Sequence, residues 1–210
     1  MPGAGTVQTA PDGDAGEECR MCDGEEFSAQ FESWLSFSAA ANIVNRNRGF
    51  AGMPSGAGVY CLRVREAPTL DLEGIEHEYR NSSIFLALKR LDGGSETLLR
   101  DAGLGAGWGW DYSGFASGRA SRVRQIRLDP AGRLSCPIVY FGKSNSLRRR
   151  MRELVTMGHT VNHALWALMV SGWRFDLGWK GHGRETEEEE RLKDIYRGSH
   201  GQRLAPLMYR

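Results

Sequence analysis

Apolar positions in this chain keep helical spacing in some stretches and alternate in others, and each change of period marks an element. From Glu25 to about Ala41, Phe27, Phe31, Trp34, Leu35 and Phe37 recur at helical spacing, which predicts an amphipathic helix with an aromatic stripe toward the core. A loop of Gly, Pro and Ser follows from Phe50 to Ala57. Gly58 to Arg65 then alternates and is rich in β-formers (Val59, Tyr60, Leu62, Val64), as a strand should be. Arg122 to Leu128 alternates with one slip, and Asp129-Pro130-Ala131-Gly132 turns the chain into a second strand ending at Phe141, so a hairpin is expected.

The apolar run Ile138 to Phe141 meets Gly142, and a polar segment with Ser144 as N-cap opens a basic amphipathic helix that runs to about Met157 and stops at Gly158. Thr160 to Val170 reads as another helix, Trp173 to Trp179 as a strand and Thr186 to Arg197 as a last helix, before a tail containing Pro206. Residues 66–118 are ambiguous: Ile84 to Leu91 fits a strand or a short helix. Gly103 to Gly118 is a glycine and aromatic loop with Trp108, Trp110, Tyr112 and Phe115. The expected fold is α+β, a small, mostly antiparallel three-stranded sheet (58–65, 138–141, 173–179) flanked by helices. Residues 1–24, poor in large apolar side chains, are expected to be a disordered tail, and 25–210 a single domain with a large insertion at about 66–118.

Composition alters this picture little, but charge alters it more. The formal net charge is only +1. Between Arg119 and Arg152, however, Arg119, Arg122, Arg124, Arg127, Arg133, Lys143, Arg148, Arg149, Arg150 and Arg152 face a single run-internal Asp129 before Glu153, while acids gather at Asp12 to Glu26 and Glu185 to Glu190. Such segregation suits a polyanion-binding face as well as a solvated surface. The four cysteines (Cys19, Cys22, Cys61, Cys136) do not make a disulfide framework, and a reducing, cytoplasmic setting is expected. Cys19 and Cys22 lack the second pair a zinc site needs, and His159 and His163 lack a third ligand and a neighbouring Glu. The apolar run from His163 to Trp173 is too short for a bilayer. Gly142-Lys143-Ser144 is not a P-loop, because Pro137 stands where the first glycine is required.

The order of two tripeptides carries the functional expectation. Gly58-Val59-Tyr60 and, later, Tyr140-Phe141-Gly142 resemble the two halves of the signature of the GIY-YIG nuclease superfamily. Lys143, Leu147 and Arg150 follow at the matching spacing, then a glutamate-bearing last helix. The resemblance covers about 56–65 and 137–209. It implies an endonuclease that hydrolyses DNA phosphodiester bonds with Mg²⁺ or another divalent cation such as Mn²⁺, acting on DNA expected to be double-stranded. It further implies that Tyr60 positions or deprotonates the attacking water, helped by cations that lower its pKa, and that Tyr140 contacts phosphate or water. Arg150 would hold the scissile phosphate, Lys143 would stand beside them, and Glu189, three before the apolar Leu192, would ligate the metal, with Glu188 as alternative.

The chain departs from the resemblance in three places. About 80 residues separate the tripeptides, a histidine often found one turn after the arginine is replaced by Leu154, and an asparagine near the end has no match around Met208 and Tyr209. Arg148, Arg149, Arg152, Arg122, Arg124, Trp108, Trp110 and His163 complete the expected DNA-contacting set, although Trp108 and Trp110 equally suit the insertion's own core and His163 a buried position. A non-catalytic nucleic-acid-binding module on the same fold is the second reading. Target, cut pattern, RNA against DNA, and homodimer against monomer stay open.

Overall fold

The computed structural model describes residues 24–46, 49–50, 52–68, 70–82, 118–156 and 159–208. Helix α1 spans Glu25–Ser28, strand β1 Ser33–Ser36, helix α2 Phe37–Asn45, strand β2 Gly58–Glu66 and helix α3 Leu72–Arg80. A 3-10 turn at Ser121–Gln125 follows, then β3 (Ile138–Ser144), α4 (Leu147–Val155), α5 (Asn162–Val170), β4 (Arg174–Gly181) and α6 (Glu185–Ser199). The α+β class is as expected. The sheet is antiparallel throughout, but it has four strands in the order β1-β4-β2-β3 rather than three.

The extra strand comes from the segment expected to be one long helix. Ser33 to Ser36 pairs with Trp179 to Asp176 along the open edge of β4, and Ser36 then caps α2 by accepting the Ala39 N–H at 3.3 Å. The Trp34 ring lies over Gly178, where a Cβ would stand 2.7 Å from it. The Arg63 guanidinium lies over that indole at 4.0 Å and bonds Asp176 at 3.1 Å. Tertiary pairing has overridden the helical spacing of the aromatics.

Strand β2 is central and covered on both faces. Tyr60, Leu62 and Val64 face a core built with α2, α3, α4 and α5, while Val59 and Cys61 face one built with Phe27, Phe31, Leu192 and Tyr196. The expected hairpin is reduced to a bridge between Leu128 and Leu134. Before it, Ala120, Val123 and Ile126 are buried at a period of three, which favours the 3-10 turn over a strand.

The described residues on either side of 83–117 lie on one side of the core. Asp71 caps α3 by accepting the Gly74 N–H at 3.0 Å, and Ile75 and Tyr79 are buried with α5 residues. Glu76, 7% exposed, binds Arg80 at 2.5 Å and Arg124 at 2.7 Å, joining α3 to the 3-10 turn. Strand β3 lies at the sheet edge, but the Leu207 N–H donates to the Val139 carbonyl at 2.9 Å, so the tail lies against that edge. Among the described residues no helix is long and apolar enough to cross a membrane.

Candidate active site

Tyr60 on β2 and Tyr140 on β3 are brought to the same face by antiparallel register. Tyr60 pairs with Gly142 and Leu62 with Tyr140, so the tyrosines are diagonal neighbours, with ring centroids 5.9 Å apart. Their hydroxyls are 3.5 Å apart, long for a direct bond but close enough to address one small volume. Both glycines of the paired tripeptides are required by close approach. A Cβ at Gly142 would stand 3.1 Å from the Tyr60 hydroxyl and 3.2 Å from that of Tyr140, closing the space beside both. A Cβ at Gly58 would strike the Lys180 carbonyl oxygen and Leu147 at the foot of α4.

His159, in the connection between α4 and α5, completes the cluster. Its Nε2 lies 3.0 Å from the Tyr60 hydroxyl, and its ring stands edge-on to both tyrosines. Burial, then the charges of Arg150 and Arg119, hold its pKa down at about 3, so the imidazole is neutral at physiological pH. The Val161 N–H donates to Nδ1 at 3.1 Å. The single ring proton of the neutral form must therefore sit on Nε2, which donates to the Tyr60 oxygen. His159 cannot take the Tyr60 proton in this state. It is instead a donor aimed at the oxygen on which negative charge would develop.

Tyr60 itself departs from expectation. Its pKa is raised well above the ordinary phenol value rather than lowered, because burial and the adjacent Tyr140 outweigh the opposing charge of Arg150. Tyr140 is also raised, chiefly by burial. Tyr60 is 1% exposed and lies beneath, while Tyr140 is partly exposed.

Arg150 reaches this cluster from the inner face of α4, whose Leu147, Met151 and Leu154 are fully buried. Its guanidinium carbon is 6.0 Å from the Tyr60 ring centroid, and Nη1 donates to Glu153 at 2.8 Å. Its Nε is buried and has no hydrogen-bond partner among the described residues. A guanidinium with such a donor, beside two hydroxyls, suits an anionic oxygen.

The two candidate glutamates part company on α6. Glu188, 5% exposed, accepts from Lys180 at 3.0 Å and from Arg191 at 2.8 Å. The Arg191 bonds first, then Lys180, hold its carboxyl down at about 2. Its oxygens are occupied by a structural ion pair. Glu189 stands 3.7 Å from both Lys143 and Lys193, and its charge is among the smaller influences that raise the pKa values of the two tyrosines. Lys143 also donates to Thr186 at 2.9 Å.

Among the described residues no group of three or more His, Cys, Asp or Glu side chains gathers around a metal position. One carboxylate nonetheless fits Mg²⁺, which keeps several waters and takes the rest of its ligands from substrate phosphate.

The outer residues separate by partner. Arg148 Nε donates to the Met53 carbonyl at 2.9 Å, Arg149 pairs with Glu153, and Arg152 lies on the exposed face of α4. Arg124 is taken by Glu76. Arg122 is half-buried and donates to the Leu207 carbonyl at 3.3 Å. His163, expected to face DNA, is instead a core residue, 3% exposed and 2.9 Å from the Tyr79 hydroxyl, because it falls on the inner side of an almost wholly apolar helix. Trp108 and Trp110, the loop around them and Cys19 and Cys22 lie outside the described residues.

Sequence spacing did not place His159 beside the tyrosines. It lies a turn beyond the position of Leu154, and only the fold of the α4–α5 connection returns it to Tyr60. No family model, curated protein or solved structure matches this chain.

Proposed function

We propose that the protein is a metal-dependent DNA endonuclease of the GIY-YIG type. The observation that carries this reading is the convergence of the Tyr60 and Tyr140 hydroxyls and the His159 Nε2–H beside Gly142, with the Arg150 guanidinium 6.0 Å from the Tyr60 ring. Arg150 binds a non-bridging oxygen of the scissile phosphate and neutralises charge as it grows in the transition state. Tyr140, the more exposed of the pair, donates to phosphate or water. Tyr60 orients the attacking water as a neutral hydroxyl, and His159 steadies its oxygen should a proton leave it. Glu189 would hold the cation, which when bound would supply Lewis-acid neutralisation of the leaving oxygen. Lys143 holds the Glu189 carboxylate until then.

The experiment is incubation of supercoiled plasmid with Mg²⁺, comparing wild type with Glu189→Gln and Arg150→Ala. Wild type nicks the plasmid, and Arg150→Ala loses about 10²- to 10³-fold in rate, the usual effect of removing one transition-state donor. Glu189→Gln loses a comparable factor while Glu188→Gln chiefly lowers the melting temperature. A wild-type protein that shifts DNA in gels yet cuts none of a range of DNA structures overturns the enzyme reading in favour of a binding module.

A further inference from the structure

Glu153 stands in the last turn of α4, where the negative end of the helix dipole disfavours a carboxylate. It follows its arginine partners along the helix, the weaker order for an ion pair, and it puts negative charge on the helix that carries Arg148, Arg149, Arg150 and Arg152. Neither helix stability nor attraction for a polyanion accounts for an acid at this position. Its contacts do.

Both carboxylate oxygens of Glu153 are engaged. Oε2 accepts from Arg150 Nη1 at 2.8 Å, and Oε1 accepts from Arg149 Nη1. The Nη2 of Arg149 donates in turn to the Asn145 Oδ1 at 3.1 Å, so the outer arginine holds the carboxylate steady. The side chains of Arg150 and Glu153 are 23% and 24% exposed, which shields this pair more than an ordinary surface ion pair. A guanidinium at the end of a long flexible stem points many ways, and a grip on one Nη fixes its plane and its direction. The backbone of Glu153 is fixed as well. Asn162, 0% exposed, donates from Nδ2 to the Glu153 carbonyl at 3.1 Å, and its N–H donates to the His159 carbonyl at 3.0 Å. One buried residue thus ties the turn that grips Arg150 to the connection that brings His159 to Tyr60.

We infer that Glu153 is a positioning residue, which fixes the Arg150 guanidinium so that the scissile phosphate meets it already oriented. This deepens the nuclease reading and rests on it for the identity of the anion. The carboxylate weakens attraction for DNA and in exchange removes the freedom that Arg150 would otherwise lose on binding its phosphate. The same turn, through Asn162, keeps Arg150 and His159 in register.

The test compares wild type with Glu153→Gln and Glu153→Ala in plasmid cleavage with Mg²⁺ at a series of DNA concentrations, with melting temperature recorded for each. Glutamine keeps the shape and one acceptor oxygen, alanine keeps neither, and both leave the main-chain carbonyl to Asn162. In Glu153→Ala kcat falls about 10- to 100-fold, the scale of a misplaced catalytic group, and Glu153→Gln falls between it and wild type. KM does not rise, because a negative charge has left a face that meets DNA. The loss runs through Arg150, so Glu153→Ala adds nothing to Arg150→Ala. An unchanged kcat in a folded Glu153→Ala, or a further loss on top of Arg150→Ala, overturns the role. Should Glu153→Ala not melt cooperatively, Glu153→Gln is read in its place, and a wild-type kcat there overturns the role as well.

NMR of the arginine side chains in the DNA-free protein separates this role from the nuclease reading. The Nη signals of Arg150, assigned by their loss in Arg150→Lys, are resolved from one another in wild type and merge in Glu153→Ala. A wild type that cuts no DNA but shows this change removes the nuclease reading and leaves Glu153 as the residue that fixes Arg150. Cleavage by a wild type whose Nη signals are already merged does the reverse.

Discussion

Two tyrosine–histidine pairs make nearly the same contact in this molecule. The Tyr60 hydroxyl lies 3.0 Å from a nitrogen of His159, and the Tyr79 hydroxyl 2.9 Å from a nitrogen of His163. Both histidines are buried, with pKa values drawn down to about 3 and about 4. The surroundings differ. Tyr79 is raised by burial alone, inside the apolar packing of α3 on α5. Tyr60 feels Tyr140, Arg150 and Glu189 as well, and Gly142 leaves room beside its hydroxyl. The contact itself is therefore no mark of chemistry. Charge that can meet a substrate, and space for that substrate, distinguish one pair from the other.

Substituting each histidine separates the pairs most sharply. His159→Gln lowers plasmid cleavage about 100-fold, in the range of a lost hydrogen-bond donor to developing charge, whereas His163→Gln leaves turnover per folded molecule unchanged and lowers the melting temperature. Equal losses of turnover in the two variants would end the distinction. Removing the hydroxyls gives a smaller contrast in stability and the same contrast in rate. Tyr79→Phe leaves a buried His163 nitrogen without that partner and costs about 1 kcal/mol in denaturant unfolding, while Tyr60→Phe shows its main effect in cleavage.

The smallest effect is one the two pairs share. Each histidine binds a proton more weakly when folded than at its ordinary value of 6.5, so the unfolded chain takes up protons first as pH falls. Their contribution to stability is complete above pH 6.5 and is lost as pH drops toward 4 and 3, at on the order of 2 kcal/mol per histidine between pH 7 and pH 5. Melting temperatures at those two pH values should show about half of this drop removed in His163→Gln. A variant that keeps the whole drop assigns it elsewhere.

Local pattern was enough to read β2, β3, β4 and the helices after them, because alternation and helical spacing there agree with the packing. The same pattern misled at Trp34, where the open edge of β4 converts a helical aromatic stripe into strand pairing. It misled again at Val123, where alternating residues are buried at every third position. Within the candidate site, Tyr60, Tyr140, Arg150 and Glu189 were named through the resemblance that the two tripeptides carry, and strand register brings the two tyrosines together. Glu189 came first there by its place three before Leu192, and the ion pairs that occupy Glu188, with Lys180 and Arg191, were not visible in the sequence. His159 was illegible because its place depends on a connection of no regular period. The raised pKa of Tyr60 was illegible for a related reason: burial is a property of the whole fold, and it outweighs the one nearby arginine.

The tail along β3 bears on how this sheet behaves in a crowd. An edge strand with open N–H and C=O groups invites another chain to join it. Here the Leu207 N–H occupies the Val139 carbonyl, and Arg122 and Arg127 hold the carbonyls of Leu207 and Leu204 at 3.3 Å and 2.7 Å. A strand from a neighbour could dock beside the tyrosines only after the tail had been peeled off and the grip of both arginines broken. The opposite edge is β1, a mere four residues long. Displacement of the tail would thus do two harms at once, exposing an adhesive edge and taking those carbonyls away from Arg122 and Arg127.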